Sequence, residues 1–220
     1  LMNCSPSVMA ALNERNIQLG HAELLAAVPK DRQEKAIVNL LSRPVLPTVV
    51  EFKAGLEQIS QAMATAIFDK TDCTSCIHNS GNQQALFAEA VSGGHCTNSE
   101  CFNKKTEDVL EAKKKSLEEN YPRVVIVRQG ENNTVIKLVA EGATGVGDEQ
   151  AAACRSCKSF GAAISAIPGK VGNVYESQCF DTSCHTKKVG ERLLAEKKAA
   201  AKPATAPTTA EPAGSKPVAG

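Results

Sequence analysis

Eight of the nine cysteines in this 220-residue chain fall into two clusters with the spacing of metal ligands. Each cluster joins a Cys-x2-Cys pair to a later Cys-x4-Cys pair, in the patterns C-x2-C-x19-C-x4-C and C-x2-C-x21-C-x4-C. Two such pairs can direct four thiolates at one tetrahedral Zn2+ ion. The sequence therefore predicts two structural zinc ions, one held by the first quartet (Cys73, Cys76, Cys96 and Cys101) and one by the second quartet (Cys154, Cys157, Cys179 and Cys184).

The second pair of each quartet leads into a segment that occurs twice in the chain. The two copies are CTNSECFNKK at 96–105 and CFDTSCHTKK at 179–188. In both, the last cysteine lies at the start of a predicted helix, where free amides and the helix dipole favour a thiolate. Lysines follow one turn later, where they can offset the charge of a metal–thiolate cluster; they are Lys104, Lys105, Lys187 and Lys188.

Other interpretations of the cysteines stay open in the sequence. The quartets could interleave instead of pairing sequentially, and His78, His95 or His185, which lie beside cysteines in the chain, could replace a thiolate. Because four thiolates already close a tetrahedral site, we expect these histidines to support the ligands instead. A dithiol-redox role is less favoured, since neither Cys-x-x-Cys pair lies at a helix start after a strand.

Catalysis is not indicated by any motif in the chain. A catalytic zinc ion needs an open coordination position and a nearby Glu or His base, and the chain has no His-x-Glu or Glu-x-x-His element. The glycines of GATGVG and PGKVGN match no phosphate-binding loop pattern. We therefore predict that the chain is not an enzyme.

The charge of the chain is nearly balanced, which argues against a broad nucleic-acid surface. The formal net charge is +1, and two four-thiolate zinc sites of −2 each would bring it to 1 − 4 = −3. Residues 185–202 are more basic, with six Lys or Arg against two Glu, or 6 − 2 = +4. The candidate contacts to DNA phosphates in this segment are Lys187, Lys188, Arg192, Lys197 and Lys198.

Periodicity and composition predict a mainly α chain with small α+β zinc-binding modules. A capping box at Thr48 and Glu51 precedes apolar positions from Val49 to Ile67 that predict one long buried helix. The segments RVVIVRQ and TVIKLVA flank GENN and predict a β-hairpin. The sequence divides into five predicted regions: a helical part at 1–68, the first cysteine module and a helix at 71–121, the hairpin linker at 122–147, the second cysteine module and a helix at 148–198, and a disordered Ala/Pro-rich tail at 199–220. Within the first module, QQALFAEA is predicted to form a short helical turn.

The expected compartment is the cytoplasm. No stretch of the sequence approaches the roughly 18 consecutive apolar residues of a membrane span, and the opening residues do not form an export signal. A reducing compartment favours metal-bound over disulfide-bonded cysteines. The first residue is Leu rather than Met, which suggests a piece of a longer protein.

The segment SPSVMAALNERNIQLGHAELLAAVPKDRQEKAIVNLLSRPVLPTVVEF at 5–52 resembles the DNA-binding part of ParB-type partition proteins. The similarity lies in the helix from Ser5 to Arg15, the Gly20-His21-Ala22 turn into a Leu-rich helix, Gln33, and the closing segment at 45–51. Together with CTSCIHNSGNQQALF and QAAACRSCKSFG, the chain is similar to the ParB-family protein of the PRTRC gene cluster of mobile elements. In that family the DNA-reading helix-turn-helix and the nucleotide-binding fold precede the segment that matches Leu1.

The resemblance implies a DNA-binding protein for partition of a plasmid or mobile element. It also implies association with the nucleoid or plasmid, a possible homodimer, and a partition ATPase or other proteins of the same cluster as partners. Any nucleotide hydrolysis would lie in the domain upstream, and no base-contacting residue carries over. His21 is expected to hydrogen-bond backbone rather than phosphate. Two alternatives remain, a zinc-scaffolded protein-interaction adaptor and, less favoured, a thiol-redox protein.

Overall fold

The computed structural model describes residues 1–82, 94–131 and 134–200. The predicted helical turn at QQALFAEA and nearly all of the predicted tail lie outside these residues. Residues 199 and 200 belong to the last helix. The helices are α1 (Pro6–Asn13), α2 (Leu19–Ala26), α3 (Lys30–Leu41), α4 (Val49–Ile59), α5 (Ser99–Glu118), α6 (Asp148–Cys154) and α7 (Thr182–Ala200), and the strands are β1 (Gln61–Ala62), β2 (His95–Cys96), β3 (Arg123–Val127), β4 (Ile136–Lys137), β5 (Phe160–Ser165) and β6 (Val174–Cys179).

Six strands in the described residues form two sheets. β1 and β2 make a two-stranded antiparallel sheet, and the other four strands are ordered β3-β5-β6-β4. The chain divides into two compact units, the first of Leu1–Asn132 with Ala162–Glu176 and the second of Asn133–Gly161 with Ser177–Gly220. The first quartet belongs to the first unit, and the second quartet to the second unit.

The predicted fold class, mainly α with two small four-cysteine zinc modules, is wrong. Helices make up about half of the described chain, and a four-stranded sheet stands beside them. The cysteine segments are not separate modules, because Cys96 and Cys179 are each the last residue of a paired strand. Among the described residues, no three His, Cys, Asp or Glu side chains are arranged to hold a metal ion.

The first three helices pack around one apolar core. Ser5 caps α1 by accepting a hydrogen bond from the Val8 amide, and Pro6 is the first helical residue, as the sequence predicts. α1 contacts α2 and α3, and α2 contacts α3. The buried side chains of this core are Val8, Ala11, Ile17, Ala22, Leu25, Ile37 and Leu40.

Two polar side chains are fully buried in the same helical region, and both bond to backbone. Gln33 accepts a hydrogen bond from the Ser5 amide at 2.6 Å and donates to the Asn3 and Val28 carbonyls. His21 accepts from the Gln18 amide through Nδ1 and contacts the Pro47 carbonyl through Nε2 at 2.9 Å. The predicted backbone role of His21 is therefore confirmed, since both ring nitrogens are occupied within the fold.

The predicted long helix from Val49 to Ile67 is wrong beyond Ile59. Its start is confirmed, because Thr48 and Glu51 form the capping box. α4 ends at Ile59, Ser60 is extended, and Gln61 then pairs with Cys96 in the β1–β2 sheet. Strand pairing with residues far along the chain overrides the helical periodicity of this segment. Ile59, which the predicted stripe would bury, is 76% exposed.

The predicted hairpin between β3 and β4 is also wrong. The strand order separates β3 from β4, and β4 pairs with β6 through Ile136 opposite Cys179. The predicted helix after Cys101 is confirmed as α5, which packs on β3. The buried residues of that core are Leu110, Val124, Ile126 and Ile164. None of the helices in the described ranges is long and apolar enough to cross a membrane.

Candidate metal centres

The first quartet is built around a buried sulfur at the end of β2. Cys96 is 8% exposed and packs with Met63, Phe68 and Phe102. The Phe68 and Phe102 rings meet edge to face, with centroids 5.0 Å apart. Cys73 is half-buried against this cluster. Cys96 therefore belongs to this apolar core, and Cys73 lies at its border.

The Cys73–Cys76 pair forms a tight turn that Asn79 supports. The Cys76 amide donates to the Cys73 carbonyl at 3.4 Å, and the Asn79 side-chain amide donates to the same carbonyl at 2.9 Å. Asn79 also bridges to Cys96 as an isolated antiparallel pair. This turn and bridge bring the first cysteine pair to the strand that carries the second pair.

All four cysteines of the second quartet line one cavity of about 40 Å³. Cys154 ends α6, the Cys157 amide donates to the Cys154 carbonyl at 3.0 Å, and Cys179 ends β6. Cys184 lies in the first turn of α7. The other residues that line the cavity are Leu138, Val146, Ser159, Phe160, Asp181, His185 and Lys188.

The duplicated segments share their local geometry. In each, the residue two places after the third cysteine caps the following helix: the Cys101 amide donates to Asn98 Oδ1 at 3.1 Å, and the Cys184 amide donates to Asp181 Oδ1 at 2.8 Å. In each, the third cysteine also donates its thiol to the backbone carbonyl of that capping residue at 3.4 Å. The repeat in the sequence is therefore also a repeat in structure.

Burial raises the pKa of two thiols, one in each quartet, namely Cys96 and Cys179. It raises the pKa of Cys96 above its ordinary value, and the charges of Cys76, Cys101 and Cys73 raise it further. Burial likewise raises the pKa of Cys179, with added repulsion from Cys154, Asp181 and Cys184. A backbone hydrogen bond, with Asn98 for Cys96 and with Asp181 for Cys179, lowers the pKa and partly offsets these effects.

These interactions group the sulfurs sequentially. Cys96 is influenced by the three other members of the first quartet, and the second cavity is lined by all members of the second quartet. All nine cysteines lie in the described residues, and each is a thiol. The donor set suits zinc, because thiolate sulfur is the ligand that structural zinc sites use most. The quartets are thus gathered, but their sulfurs are not drawn together into a coordination shell.

The candidate DNA contacts on α7 divide into two groups. Lys187, Lys197 and Lys198 are exposed. Lys188 forms an ion pair with Glu191 at 3.0 Å and is among the residues that line the cysteine cavity, so its charge is already paired. Arg192 has a side chain only 18% exposed and donates to Glu196 at 3.0 Å and to the Gly142 carbonyl at 2.7 Å. Arg192 is therefore committed to the fold of the second unit.

Two features of the site escaped the sequence-based analysis. The caps at Asn98 and Asp181 could have been found, because Asn and Asp three residues before a helix-start cysteine are typical capping residues. The burial of His185 had no sequence signal, since a histidine in a charged helix start is ordinarily exposed. Against known proteins, no family model, curated protein or solved structure matches this chain.

Proposed function

We propose that this chain is a structural zinc-binding protein in which each quartet holds one zinc ion. The observation that carries this proposal is the convergence of Cys154, Cys157, Cys179 and Cys184 on one cavity. The first quartet supports it through the same cap and the same thiol contact in its second half. A zinc ion would supply tetrahedral bonding to the thiolates and no reaction chemistry.

Binding would join elements that are distant in sequence within each unit. In the second unit, the ligands come from the end of α6, the end of β6 and the start of α7. Three buried apolar side chains, Leu138, Val146 and Phe160, also line this cavity, and a metal cross-link between the three elements would add to the stability that they supply. In the first unit, the core around Phe102 already joins the same kinds of elements.

The test is a metal count on the full chain from zinc-replete cells, with free thiols titrated before and after chelation. We expect about two zinc ions per chain, and loss of structure around the second quartet after chelation. Cys157→Ser should lower the count by one. Cys4→Ser is the matched control, because Cys4 contacts the Ala22 carbonyl in the helical core and lies outside both quartets. A metal-free chain that stays fully folded would contradict the proposal.

We further propose that the protein binds DNA in partition of a plasmid or mobile element, as the ParB resemblance implies. A possible homodimer and a partition ATPase are the partners to test. The observation in favour is the exposure of Lys187, Lys197 and Lys198 on one basic helix. Glu191 and Glu196 on the same helix form ion pairs with the neighbouring Lys188 and Arg192.

The DNA proposal is tested by measuring binding to duplex DNA at several salt concentrations. Affinity should fall steeply with salt, and replacing Lys187, Lys197 and Lys198 by Gln should reduce the slope by up to roughly 0.9 for each lost phosphate contact. The control replaces three exposed lysines elsewhere, namely Lys104, Lys115 and Lys170. An equal effect of the control would mean that only total charge matters, and a salt-insensitive complex with a protein would favour the adaptor alternative.

A further inference from the structure

His185 and Phe102 occupy the same position in the duplicated segment. Each follows the last cysteine of its quartet, as Cys101-Phe102 and Cys184-His185, and each lies in the first turns of its helix. Both side chains are buried, Phe102 at 7% exposure and His185 at 4%. The first copy fills this position with an apolar ring, and the second copy fills it with a ring that carries two nitrogens.

His185 is buried at the cavity of the second quartet. It lines the cavity that the four cysteines line, and its Nε2 atom, like Nδ1 of His95 beside the first quartet, is buried without a hydrogen-bond partner among the described residues. A buried ring nitrogen without a partner is unfavourable unless a group absent from the bare chain satisfies it. In a cavity lined by sulfur ligands, a metal ion is such a group, since neutral imidazole is a common zinc ligand.

The four cysteines around that cavity are not equivalent. Hydrogen bonds hold three of the sulfurs: Gln150 Nε2 donates to Cys154 Sγ at 3.4 Å, the Ser159 amide donates to Cys157 Sγ at 3.4 Å, and Cys179 Sγ donates to the Asp181 carbonyl. Cys157 and Cys184 are both exposed, but the contact of Cys184 with Asp181 is made by its backbone amide and not by its sulfur. Cys184 is thus the cysteine whose sulfur the fold positions least.

We propose that His185 Nε2 is the fourth ligand of the second zinc site, in place of the Cys184 thiolate. The second site is then a Cys3His site made by Cys154, Cys157, Cys179 and His185, whereas the first site is a Cys4 site. The ligating tautomer carries its proton on Nδ1 and presents the Nε2 lone pair to the metal. This inference rests on the proposed zinc function and refines the ligand set of one of its two sites.

The test is 113Cd NMR of the full chain loaded with cadmium and labelled with 15N-histidine. We expect two cadmium resonances, of which one is split by coupling to a single 15N nucleus. His185→Phe places the residue of the first copy at the same buried position and should abolish the splitting. The resonance of the first site reports that this variant is folded. Cys184→Ser should keep both resonances and the splitting, with less than a tenfold loss of affinity, whereas Cys157→Ser should abolish the split resonance.

The remaining histidines give the controls. The chain has four histidines, and His95→Gln and His78→Gln, beside the first quartet, should leave the splitting intact. Two unsplit resonances in the wild-type chain, a splitting that survives His185→Phe, or a splitting lost in Cys184→Ser would each overturn this inference and leave the zinc proposal standing. Failure of the chain to bind cadmium or zinc would overturn the zinc proposal and this inference with it.

Discussion

The two quartets share a local motif and differ in what surrounds it. Around the first, the helix after the last cysteine packs through Phe102 and, about two turns later on the same face, through Val109, which borders the core of Met63, Phe68 and Cys96. Around the second, the equivalent positions are His185 and Arg192. Arg192 packs against Gly147 and reaches the Gly142 carbonyl. At these two helix positions, therefore, the first copy makes apolar contacts and the second copy has an imidazole and a guanidinium.

This difference indicates that the local geometry at the cysteines is the same in the two copies, whereas the packing of the following helix is not. The cap and the thiol–carbonyl contact depend on a few adjacent residues, so they survive in both copies. The residues on the packed face of each following helix depend on the side chains that surround that helix in its own unit. If both quartets hold zinc as proposed, the first should tolerate removal of the ion better than the second, since Phe102 and Val109 keep the helix after the first quartet packed on an apolar core.

The largest effect is expected from Phe102→Ala. Removing a buried aromatic ring that packs edge to face on Phe68 should lower the free energy of unfolding of the zinc-loaded chain by about 3–5 kcal/mol. Leu194→Ala is the control, because Leu194 is 60% exposed and should change stability by less than about 0.5 kcal/mol. Urea denaturation measures both. A loss below about 1 kcal/mol for Phe102→Ala would mean that metal, and not the apolar core, holds the first quartet.

A smaller effect is expected from Arg192→Ala and Arg192→Lys. Loss of the guanidinium contacts to Gly142 and Glu196 should cost about 1–2 kcal/mol, less than a fully buried charged hydrogen bond because the side chain is partly exposed. Arg192→Lys keeps the charge but loses the planar fork, so it should lower stability while leaving DNA affinity unchanged. Thermal unfolding and DNA titration read the two properties separately. If the Lys variant were fully stable and only the Ala variant lost DNA binding, Arg192 would be a DNA contact.

The caps should behave alike in the two copies. Asn98→Ala and Asp181→Ala each remove the acceptor of one cysteine amide, and each should cost about 1 kcal/mol. Exchange variants, Asn98→Asp and Asp181→Asn, keep the hydrogen bond and should restore most of that stability. Chemical denaturation of the four variants is the measurement. Unequal costs for the two Ala variants would show that the copies differ in local geometry as well as in packing.

The smallest expected effect is a loss of stability of the metal-free chain at alkaline pH. Burial raises the pKa of Cys96 and Cys179 above the reference value of 9.0. A raised pKa in the folded state means that the neutral thiols favour folding below about pH 9 and that this contribution is lost as pH rises through the folded-state pKa. With zinc bound, the thiolates already exist and the alkaline decline should vanish. Chemical denaturation of the metal-free and the zinc-bound chain at pH 7, 9 and 10 measures whether the free energy of unfolding falls at alkaline pH in the metal-free chain alone.

The sequence predicted local structure well and distant pairing poorly. Ser5, Thr48 and Glu51 cap helices by contacts within three residues, so the starts of α1 and α4 could be read from residue types. The helix after each quartet was predicted for the same reason. β5 was missed, because FGAAIS has no alternation and alanine has low strand propensity. The pairing of β4 with β6, and not with β3, depends on residues about 40 positions apart, which local patterns do not encode.

The candidate site shows the same division. Spacing identified the eight cysteines, and the structure groups them in the sequential order that the spacing favours. Whether a neighbouring side chain turns toward or away from the sulfurs depends on the packing of the helix that carries it. Phe102 and His185 stand at the same place in the motif, yet only the fold shows that the second one faces a cavity with an unpartnered nitrogen.

One carbonyl oxygen connects the first quartet to the helical region within the first unit. The backbone oxygen of Ala27, left without a helical partner at the end of α2, is contacted by His78 Nδ1 at 2.6 Å and by the hydroxyl of Thr97. His78 lies two residues after Cys76, and Thr97 directly follows Cys96. If the first quartet holds zinc as proposed, removal of the ion should speed amide exchange in the last turn of α2, and a probe on these helices would then report metal occupancy without touching a cysteine.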